Sequence, residues 1–367
     1  MATVKIVASN FYRTLGDFAT TTLFASAVRE LFDDAQLFIY YRDDRPFKND
    51  ILRYVPNMHR AIRVSGPQDF LPLDYFDTSH GSITLADDAE LRDIRAVDIL
   101  LAGNMYGEPQ MHCMPLPTLR AAPDLKQRGD EALLKLGVDP SRWIAAVYWK
   151  EAGYGDRGFH GARVVKDPIP YLAASRYIIE NLGGQVVRLG HPSATETLDI
   201  PGFFDLAKLP DSHWLQMHAV SVSRFMIASA SGPSAYGPAF DVPTAVTDQI
   251  ELSGVWRDHD YIVTRGFYID GKEYRQMEAY EAGHLDHASD WGEYGTKIPL
   301  RPNSIGELLD TVDEMYAVSG NCPGWRVPSP GTVIFPKPNS FTLPAPRRQR
   351  PEFLIPPSKR SSKITPP

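Results

Sequence analysis

The chain has 367 residues, of which 43% are hydrophobic and 23% are charged, and its formal net charge is −7. The length predicts two domains, the composition predicts a soluble globular protein, and the negative charge argues against general affinity for nucleic acid. Two cysteines, Cys113 and Cys322, argue against a disulfide framework or a structural zinc site. We find no long apolar run, and we therefore expect a cytoplasmic protein without a membrane span.

The first part of the chain alternates predicted strands with helical or polar segments. Apolar and β-branched runs predict strands at residues 3–9, in AQLFIYYRD, in AIRVSG and at residues 97–102, where the last run ends in Gly103-Asn104. Apolar residues at helical spacing predict a helix from Phe18. Residues 67–96 are acidic and Pro-rich and are expected to form a loop. This alternation is typical of a doubly wound α/β domain, which we place at residues 1–136.

A second series of predicted elements begins at the strand WIAAVYWK, which delivers Lys150 to a glycine-rich loop. The helix YLAASRYIIENLGG and the strands QVVRLG, RFMIAS and PTAVTD follow, which predicts a second parallel sheet within a domain at residues 137–334. Ser304 and Glu307 form a capping box for a late helix. Residues 249–300 show no clear periodicity. The Pro-rich, basic segment 335–367 is expected to be an extended arm or disordered.

Several candidate ligands of an anion fall at strand ends of the second series. In open parallel sheets ligands bind outside the carboxyl ends of the strands. Guanidinium groups and backbone N–H groups at a helix start bind phosphate oxygens. A single arginine can also merely solvate a loop, and Ser-Gly is common in strand-to-helix turns; Arg188 differs because it interrupts an apolar strand. The candidates are Lys150, Tyr154, Arg163, Arg188, Gly190, Ser231, Gly232 and Ser234.

Asp17 follows the first predicted strand and is a candidate general base, since a shielded carboxylate can take a proton from a hydroxyl group. The alternative is that Asp17 caps the helix predicted from Phe18. The pair His284 and His287 has no third ligand nearby at metal-binding spacing, so we predict no metal site. The chain lacks a Walker motif and GxSxG, which argues against a P-loop kinase and an α/β-hydrolase.

The pieces VYWKEAGY, Arg163, YLAASRYIIENLGGQVVRLG, Asp205, FMIASASG and NSIGELLDTVDEMY occur in this order between residues 143 and 317. Their order and spacing resemble a family of bacterial glycosyltransferases of the GT-B type that is linked to surface-polysaccharide gene clusters. The resemblance implies two Rossmann-like domains that face each other across a cleft, with the nucleotide-sugar donor bound by the C-terminal one. It assigns Arg188, Gly190, Ser231 and Gly232 to the donor diphosphate. This chain has Lys150 where the family pattern has an arginine.

The sequence thus predicts a metal-independent glycosyltransferase of polysaccharide synthesis, without a cofactor, that moves a sugar from a GDP-, UDP- or dTDP-sugar to a glycan or small hydroxyl acceptor. Lys150, Arg163 and Arg188 would stabilise the leaving diphosphate, and Asp17 would be the base. One alternative is a two-domain binding protein that closes on a nucleotide or sugar without reacting. Another is a glycosyltransferase for a nucleic-acid base, with the basic residues 347–363 as an arm. A solvated C-terminus is the simpler interpretation of that segment.

Overall fold

The computed structural model describes residues 3–64, 97–101, 118–152, 159–193, 196–250, 257, 259–284 and 298–321. Within these residues the chain forms two parallel β-sheets with flanking helices and one small antiparallel sheet. We call the part that contains the first parallel sheet the N-terminal half and the rest the C-terminal half. The predicted domain boundary between residues 136 and 137 stays a prediction.

The N-terminal half is built on a sheet of four parallel strands in the order β3-β2-β1-β4. Its elements are β1 Val4–Asn10, α1 Leu15–Glu30, β2 Ala35–Arg42, α2 Pro46–Leu52, β3 Met58–Val64 and β4 Ile99–Leu101. Consecutive residues of β1, Ile6, Val7 and Ala8, are each at most 2% exposed. A parallel strand that is covered on both faces reads as such a continuous apolar run, which is why the sequence predicted β1 and β2.

The C-terminal half contains six parallel strands in the order β10-β9-β8-β5-β6-β7. Its elements up to the last of these strands are α3 Pro123–Lys135, β5 Ile144–Tyr148, α4 Phe159–Ala162, α5 Ile169–Glu180, β6 Gln185–Leu189, β7 Phe203–Asp205, α6 His213–Ser221, β8 Phe225–Ser229, α7 Tyr236–Ala239, β9 Thr244–Gln249 and β10 Tyr261–Thr264. The strand order reverses between β5 and β8. In a doubly wound sheet, the crevice outside the strand ends at such a reversal is the usual ligand site.

A small antiparallel sheet and two helices complete the C-terminal half. They comprise β11 Gly266–Ile269, β12 Lys272–Tyr274, α8 Gln276–Glu281, β13 Leu300–Arg301 and α9 Ile305–Val318. The sheet order is β12-β11-β13. The sequence assigned no structure to most of this region, because strands of two to four residues are too short to show a period.

Local signals in the sequence account for the ends of two helices. The Ile169 N–H donates to the Asp167 carboxylate at 3.0 Å at the start of α5. At its end the Gly184 N–H donates to the Ile178 carbonyl at 3.0 Å, while Gly183 has a φ of +70°, a conformation that favours glycine. The predicted capping box of Ser304 and Glu307 starts α9. The predicted capping box is confirmed.

Direct packing joins the two halves. The rings of Tyr54 and Phe240 meet edge to face, with their centroids 5.1 Å apart. The Leu119 N–H donates to the Ala239 carbonyl at 2.8 Å. The first turn of α1 lies against the turn that follows β8, so closely that a Cβ atom on Gly16 would be 3.3 Å from the Gly232 Cα. The carboxyl ends of β1 and β8 therefore meet at the junction of the halves.

Other predictions have a different outcome. Helix α1 begins at Leu15, three residues before the predicted start at Phe18. Three predicted segments lie outside the described residues: the loop at residues 67–96, the dipeptide Gly103-Asn104 and the C-terminal arm. Among the described helices, none combines the length and the apolarity that crossing a membrane requires.

The packing of α3 on α6 predicts the effect of a single methyl group. A Cβ atom on Gly129 would overlap the imidazole ring of His218, whose Nε2 lies 2.9 Å from an Asp130 carboxylate oxygen. We expect Gly129→Ala to lower the free energy of unfolding by about 1–3 kcal/mol, as overpacking of a core does. Urea unfolding followed by circular dichroism measures it. The control is Gly306→Ala in α9, where the nearest atom is 4.0 Å away and the better helix propensity of alanine should stabilise the fold.

Candidate functional site

The ends of β5 and β8 form the centre of the site. These neighbouring strands flank the reversal of the C-terminal sheet. The Lys150 backbone N–H donates to the Ser229 hydroxyl at 2.8 Å, and the Tyr148 hydroxyl donates to the Ser231 hydroxyl at 3.2 Å. Two of the predicted anion ligands, Lys150 and Ser231, thus lie on adjacent strand ends, where the topology predicts a ligand. Lys150 is buried, with 5% of its surface exposed.

The turn after β8 is compact and half-buried. Ser231 is extended, and residues Gly232–Ala235 then form one turn of 3-10 helix. Both the N–H and the hydroxyl group of Ser234 donate to the Ser231 carbonyl, at 3.0 and 2.6 Å. The Ser234 hydroxyl therefore closes the turn. Gly232 is required by the junction of the halves, since a Cβ atom there would lie 3.2 Å from the Gly16 nitrogen.

Arg188 lies inside the protein rather than at its surface. Its side chain is 1% exposed, and its guanidinium group is stacked on the Trp149 ring with 3.9 Å between the guanidinium carbon and the ring centroid. It donates to the Glu151 carboxylate, to the Glu196 carbonyl and, at 3.0 Å, to Asp205. The observed contacts of Arg188 are thus internal, and they fit a residue that positions Glu151. Direct binding of the donor by Arg188 stays a prediction.

Glu151 is the member of the site that the sequence did not single out. Its carboxylate accepts hydrogen bonds from the Trp149 indole at 3.1 Å and from Arg188, and its side chain is 21% exposed. Burial raises the pKa of Glu151, and the Arg188 charge opposes this. A signal for it was present, since Glu151 directly follows Lys150 at a strand end. An exposed edge of this carboxylate can accept a hydrogen bond from a ligand hydroxyl group.

Gly190 follows β6, two residues beyond Arg188. Its N–H donates to the Gln216 side-chain oxygen at 3.1 Å, and its carbonyl accepts from the same carboxamide at 3.0 Å. A Cβ atom at this position would lie 3.1 Å from the Ala207 methyl group. The described contacts of Gly190 therefore attach β6 to α6. A direct bond from its backbone to a phosphate group, which the family resemblance implied, stays a prediction.

Arg163 is held near Lys150 by its neighbours along the chain. The Val165 N–H donates to the Lys150 carbonyl at 2.8 Å. Arg265, which pairs with Asp248 at 3.1 Å, donates to the carbonyl groups on either side of Arg163 at 2.6 and 3.1 Å. The segment around Arg163 is thus fixed beside the end of β5. The other loop candidate, Tyr154, lies outside the described residues.

Asp17 is the only candidate from the N-terminal half. Helix α1 starts at Leu15 with Thr14 as its N-cap residue, so the alternative that Asp17 is the N-cap is wrong. The Thr14 hydroxyl donates to the Asp17 carboxylate. Because the neighbouring Gly16 contacts Gly232, the fold brings half-buried Asp17 next to the turn after β8. The predicted base and the predicted phosphate turn therefore lie on opposite sides of one junction.

In the part of the chain that the structure describes, no three His, Cys, Asp or Glu side chains come together as metal ligands. The His284 imidazole contacts the Tyr274 hydroxyl at 3.2 Å, whereas its predicted companion His287 lies outside the described residues. Independence from a metal ion stays a prediction.

The buried ion pairs of Arg188 predict a pH-dependent loss of stability. Arg188→Ala removes the cation that Glu151 and Asp205 share, and we expect a cost of about 3–5 kcal/mol at pH 7.5. Without Arg188 the pKa of Glu151 should rise further, so the folded state binds more protons than the unfolded state and the cost should shrink at pH 5. Urea unfolding at both pH values measures this.

The control for that experiment is Arg176→Ala, which breaks an exposed pair with Glu180 and should cost about 0.5 kcal/mol or less at either pH. Equal losses for the two variants would contradict the structural role of Arg188.

Neither a protein-family model nor a curated protein matches the chain. Solved structures do. The glycosyl transferase family 9 protein of Veillonella parvula DSM 2008 is 13% identical, with a TM-score of 0.52 over 87% of this chain and 99% of that one. The ADP-heptose LPS heptosyltransferase II of E. coli is 12% identical, with a TM-score of 0.49 over 86% and 100%. A dodecameric iron-containing heptosyltransferase in complex with ADP-D-β-D-heptose is 11% identical, with a TM-score of 0.40 over 86% and 77%.

At 13% identity such a likeness establishes a shared fold. It agrees with the two parallel sheets of this chain. The predicted fold class is therefore confirmed: the chain has an α/β, GT-B-like fold with two Rossmann-like parts, and it resembles bacterial glycosyltransferases in its architecture.

Proposed function

We propose that this protein is a glycosyltransferase that moves a sugar from a nucleotide-diphosphate sugar to an acceptor hydroxyl group in glycan or polysaccharide synthesis. One observation carries the proposal. The turn after β8, at the reversal of the C-terminal sheet, lies against the first turn of α1, so that Ser231 and Asp17 come from different halves to one place. A donor bound at Ser231 and an acceptor bound at Asp17 would be close enough to react.

The C-terminal side supplies the electrostatic part of the reaction. When the bond between the sugar C1 and the diphosphate oxygen breaks, negative charge grows on the leaving diphosphate. Preorganised cations and hydrogen-bond donors stabilise this charge more strongly than they stabilise the intact donor. Lys150 and Arg163 supply cations, the Ser231–Ser234 turn supplies hydroxyl and backbone groups, and Arg188 holds Glu151 in position for a donor hydroxyl. Such a set acts without a metal ion.

The N-terminal side supplies the base. In the proposed step the Asp17 carboxylate takes the proton of the acceptor hydroxyl. At the same time the acceptor oxygen bonds to the sugar C1, and the nucleoside diphosphate leaves. The bond from the Thr14 hydroxyl orients the carboxylate. A base positioned in this way contributes about 10²–10⁴-fold to the rate. A protein that only binds nucleotide sugars would release no nucleoside diphosphate from them, and this measurement separates the two functions.

Ser231→Asp tests the donor site. A carboxylate in the turn would repel the diphosphate, so we expect the affinity for the preferred nucleoside diphosphate to fall about 100-fold or more. Ser231→Ala is the matched control, because it loses only a neutral hydroxyl and should change the affinity about tenfold at most. Isothermal titration calorimetry with ADP, GDP, UDP and dTDP measures both. Unchanged binding to Ser231→Asp would place the donor elsewhere.

Asp17→Asn tests the base separately from the donor site. Asparagine keeps an oxygen that can accept the Thr14 hydrogen bond, but it cannot take a proton. We expect kcat for release of nucleoside diphosphate to fall by about 10²-fold or more, while nucleoside diphosphate affinity stays as in the wild type. A variant with wild-type kcat would exclude Asp17 as the base, and a variant with lost donor affinity would assign it to binding instead.

A further inference from the structure

A group of basic side chains lies at the carboxyl edge of the N-terminal sheet, at the end of β2, in the first turn of α2 and in the connections that follow β1 and β2. Its members are Arg13, Arg42, Arg45 and Lys48. The formal net charge of the whole chain is −7, so this local group of cations is opposite in sign to the net charge of the protein. We call these four residues the basic edge.

Two members of the basic edge are engaged by one carboxylate. The Lys48 side chain is fully buried, and its Nζ lies 2.8 Å from Asp44, whose other oxygen lies 3.4 Å from the Arg13 Nε. Burial lowers the pKa of Lys48, and the positive charges of Arg42 and Arg13 lower it further. The Asp44 carboxylate raises it. The ion pairs with Asp44 make Lys48 and Arg13 neighbours. Asp44 is thus shared between two of them.

The other two members, Arg42 and Arg45, have no carboxylate partner within the part of the chain that the structure describes. The Nε atoms of both are buried and have no hydrogen-bond acceptor there. The Arg42 guanidinium is placed by stacking on the Phe11 ring, 5.4 Å from its centroid. The nearby Asp43 is already engaged by Arg63 at 3.3 Å and by the Asn49 side chain at 2.6 Å. Burying a guanidinium N–H without an acceptor is costly, and an anionic ligand at this edge would supply the acceptors for both.

The basic edge is close to the proposed reaction centre. Arg13 directly precedes the first turn of α1, and Lys48 lies over the Phe18 ring at 5.2 Å, one residue beyond Asp17. The same turn of α1 contacts Gly232 of the other half. An anion bound at the basic edge therefore lies on the acceptor side of the junction, separate from the donor turn.

We propose that the acceptor of this glycosyltransferase carries an anionic group, a carboxylate or a phosphate, which Arg42 and Arg45 bind through their guanidinium groups, with Arg13 at the rim. The planar guanidinium matches the paired oxygens of either group. Bound in this way, the acceptor would present a hydroxyl group toward Asp17. The inference rests on the proposed function, because it assumes that the N-terminal half binds the acceptor.

The test uses the full chain and three sugars that share a glucose ring and differ at C6: glucose, glucuronate and glucose 6-phosphate. We expect calorimetry to detect binding of at least one anionic sugar and none of glucose at the same concentration. Glucuronate and glucose 6-phosphate distinguish a carboxylate from a phosphate acceptor. The double variant Arg42→Gln/Arg45→Gln should weaken the anionic sugar about tenfold or more, because charge-assisted hydrogen bonds are lost. Its unfolding midpoint in urea verifies that it folds.

Two controls make the outcome specific. Arg53→Gln/Arg60→Gln removes the same charge from exposed positions of the N-terminal half and should leave binding of the anionic sugar unchanged. Ser231→Asp should leave it unchanged as well while nucleoside diphosphate binding is lost. Absent binding of both anionic sugars to the wild type, or binding that survives in the Arg42→Gln/Arg45→Gln variant, would overturn the proposal. Loss of anionic sugar binding in Ser231→Asp would also overturn the proposal, because it would place the anion in the donor site. Nucleoside diphosphate binding that persists in Ser231→Asp would instead contradict the proposed donor site and leave the basic edge intact.

Discussion

The close approach of Gly16 and Gly232 sets the geometry of the whole site. A methyl group on either residue would fall 3.2 to 3.3 Å from backbone atoms of the other. Two side chains at these positions would force the first turn of α1 away from the turn after β8. Because Gly16 and Gly232 have no side chains, the carboxyl edges of the two parallel sheets can meet at contact distance. Every proposed contact between a donor held by one half and an acceptor held by the other depends on this approach.

Buried arginines hold the strand ends of the C-terminal half in place around that junction. Arg188 ties the ends of β5, β6 and β7 together through Glu151 and Asp205. Arg265 ties β9 to the segment around Arg163 through its ion pair with Asp248. Asp248 also accepts a hydrogen bond from the Tyr171 hydroxyl at 2.7 Å. Each charge is matched by carboxylates and carbonyl groups, as a charge in a poorly solvated place must be. Such networks favour one particular arrangement of the loops, and the proposed donor site depends on that arrangement.

Much of the fold could be predicted from the sequence because parallel strands covered on both faces are continuous apolar runs. Residues 144–148 and 225–229 are examples, and both are fully or almost fully buried. The strand order could not be predicted, and it decides that the end of β5 neighbours the end of β8. The partner of Arg188 could not be predicted either, since Glu151 is 37 positions away and only the pairing of β5 with β6 brings the two together.

The site was predicted unevenly for the same reason. An arginine inside an apolar strand marks an unusual position, but the pattern is the same whether the guanidinium faces a ligand or a buried carboxylate. The start of α1 was missed although Thr14 is a good N-cap residue, because the apolar period was counted from Phe18. Arg42 and Arg45 stand among acidic neighbours in RDDRPFK, where they read as ordinary surface charges. Only the geometry shows that Asp43 and Asp44 are engaged by other cations.

The shared fold by itself leaves the choice between a transferase and a binding protein open, because folds host many functions. The charges at the junction favour a transferase. A protein that only bound anions would gain from cations on both sides and would lose affinity through a carboxylate between them, since like charges repel across a poorly solvated gap. This chain has Lys150 at the end of β5 in one half, and Asp17 and the basic edge at the carboxyl edge of the sheet in the other half. In the proposed function this carboxylate, which accepts a hydrogen bond from Thr14, removes the proton of the acceptor hydroxyl while the two anionic ligands are held in place.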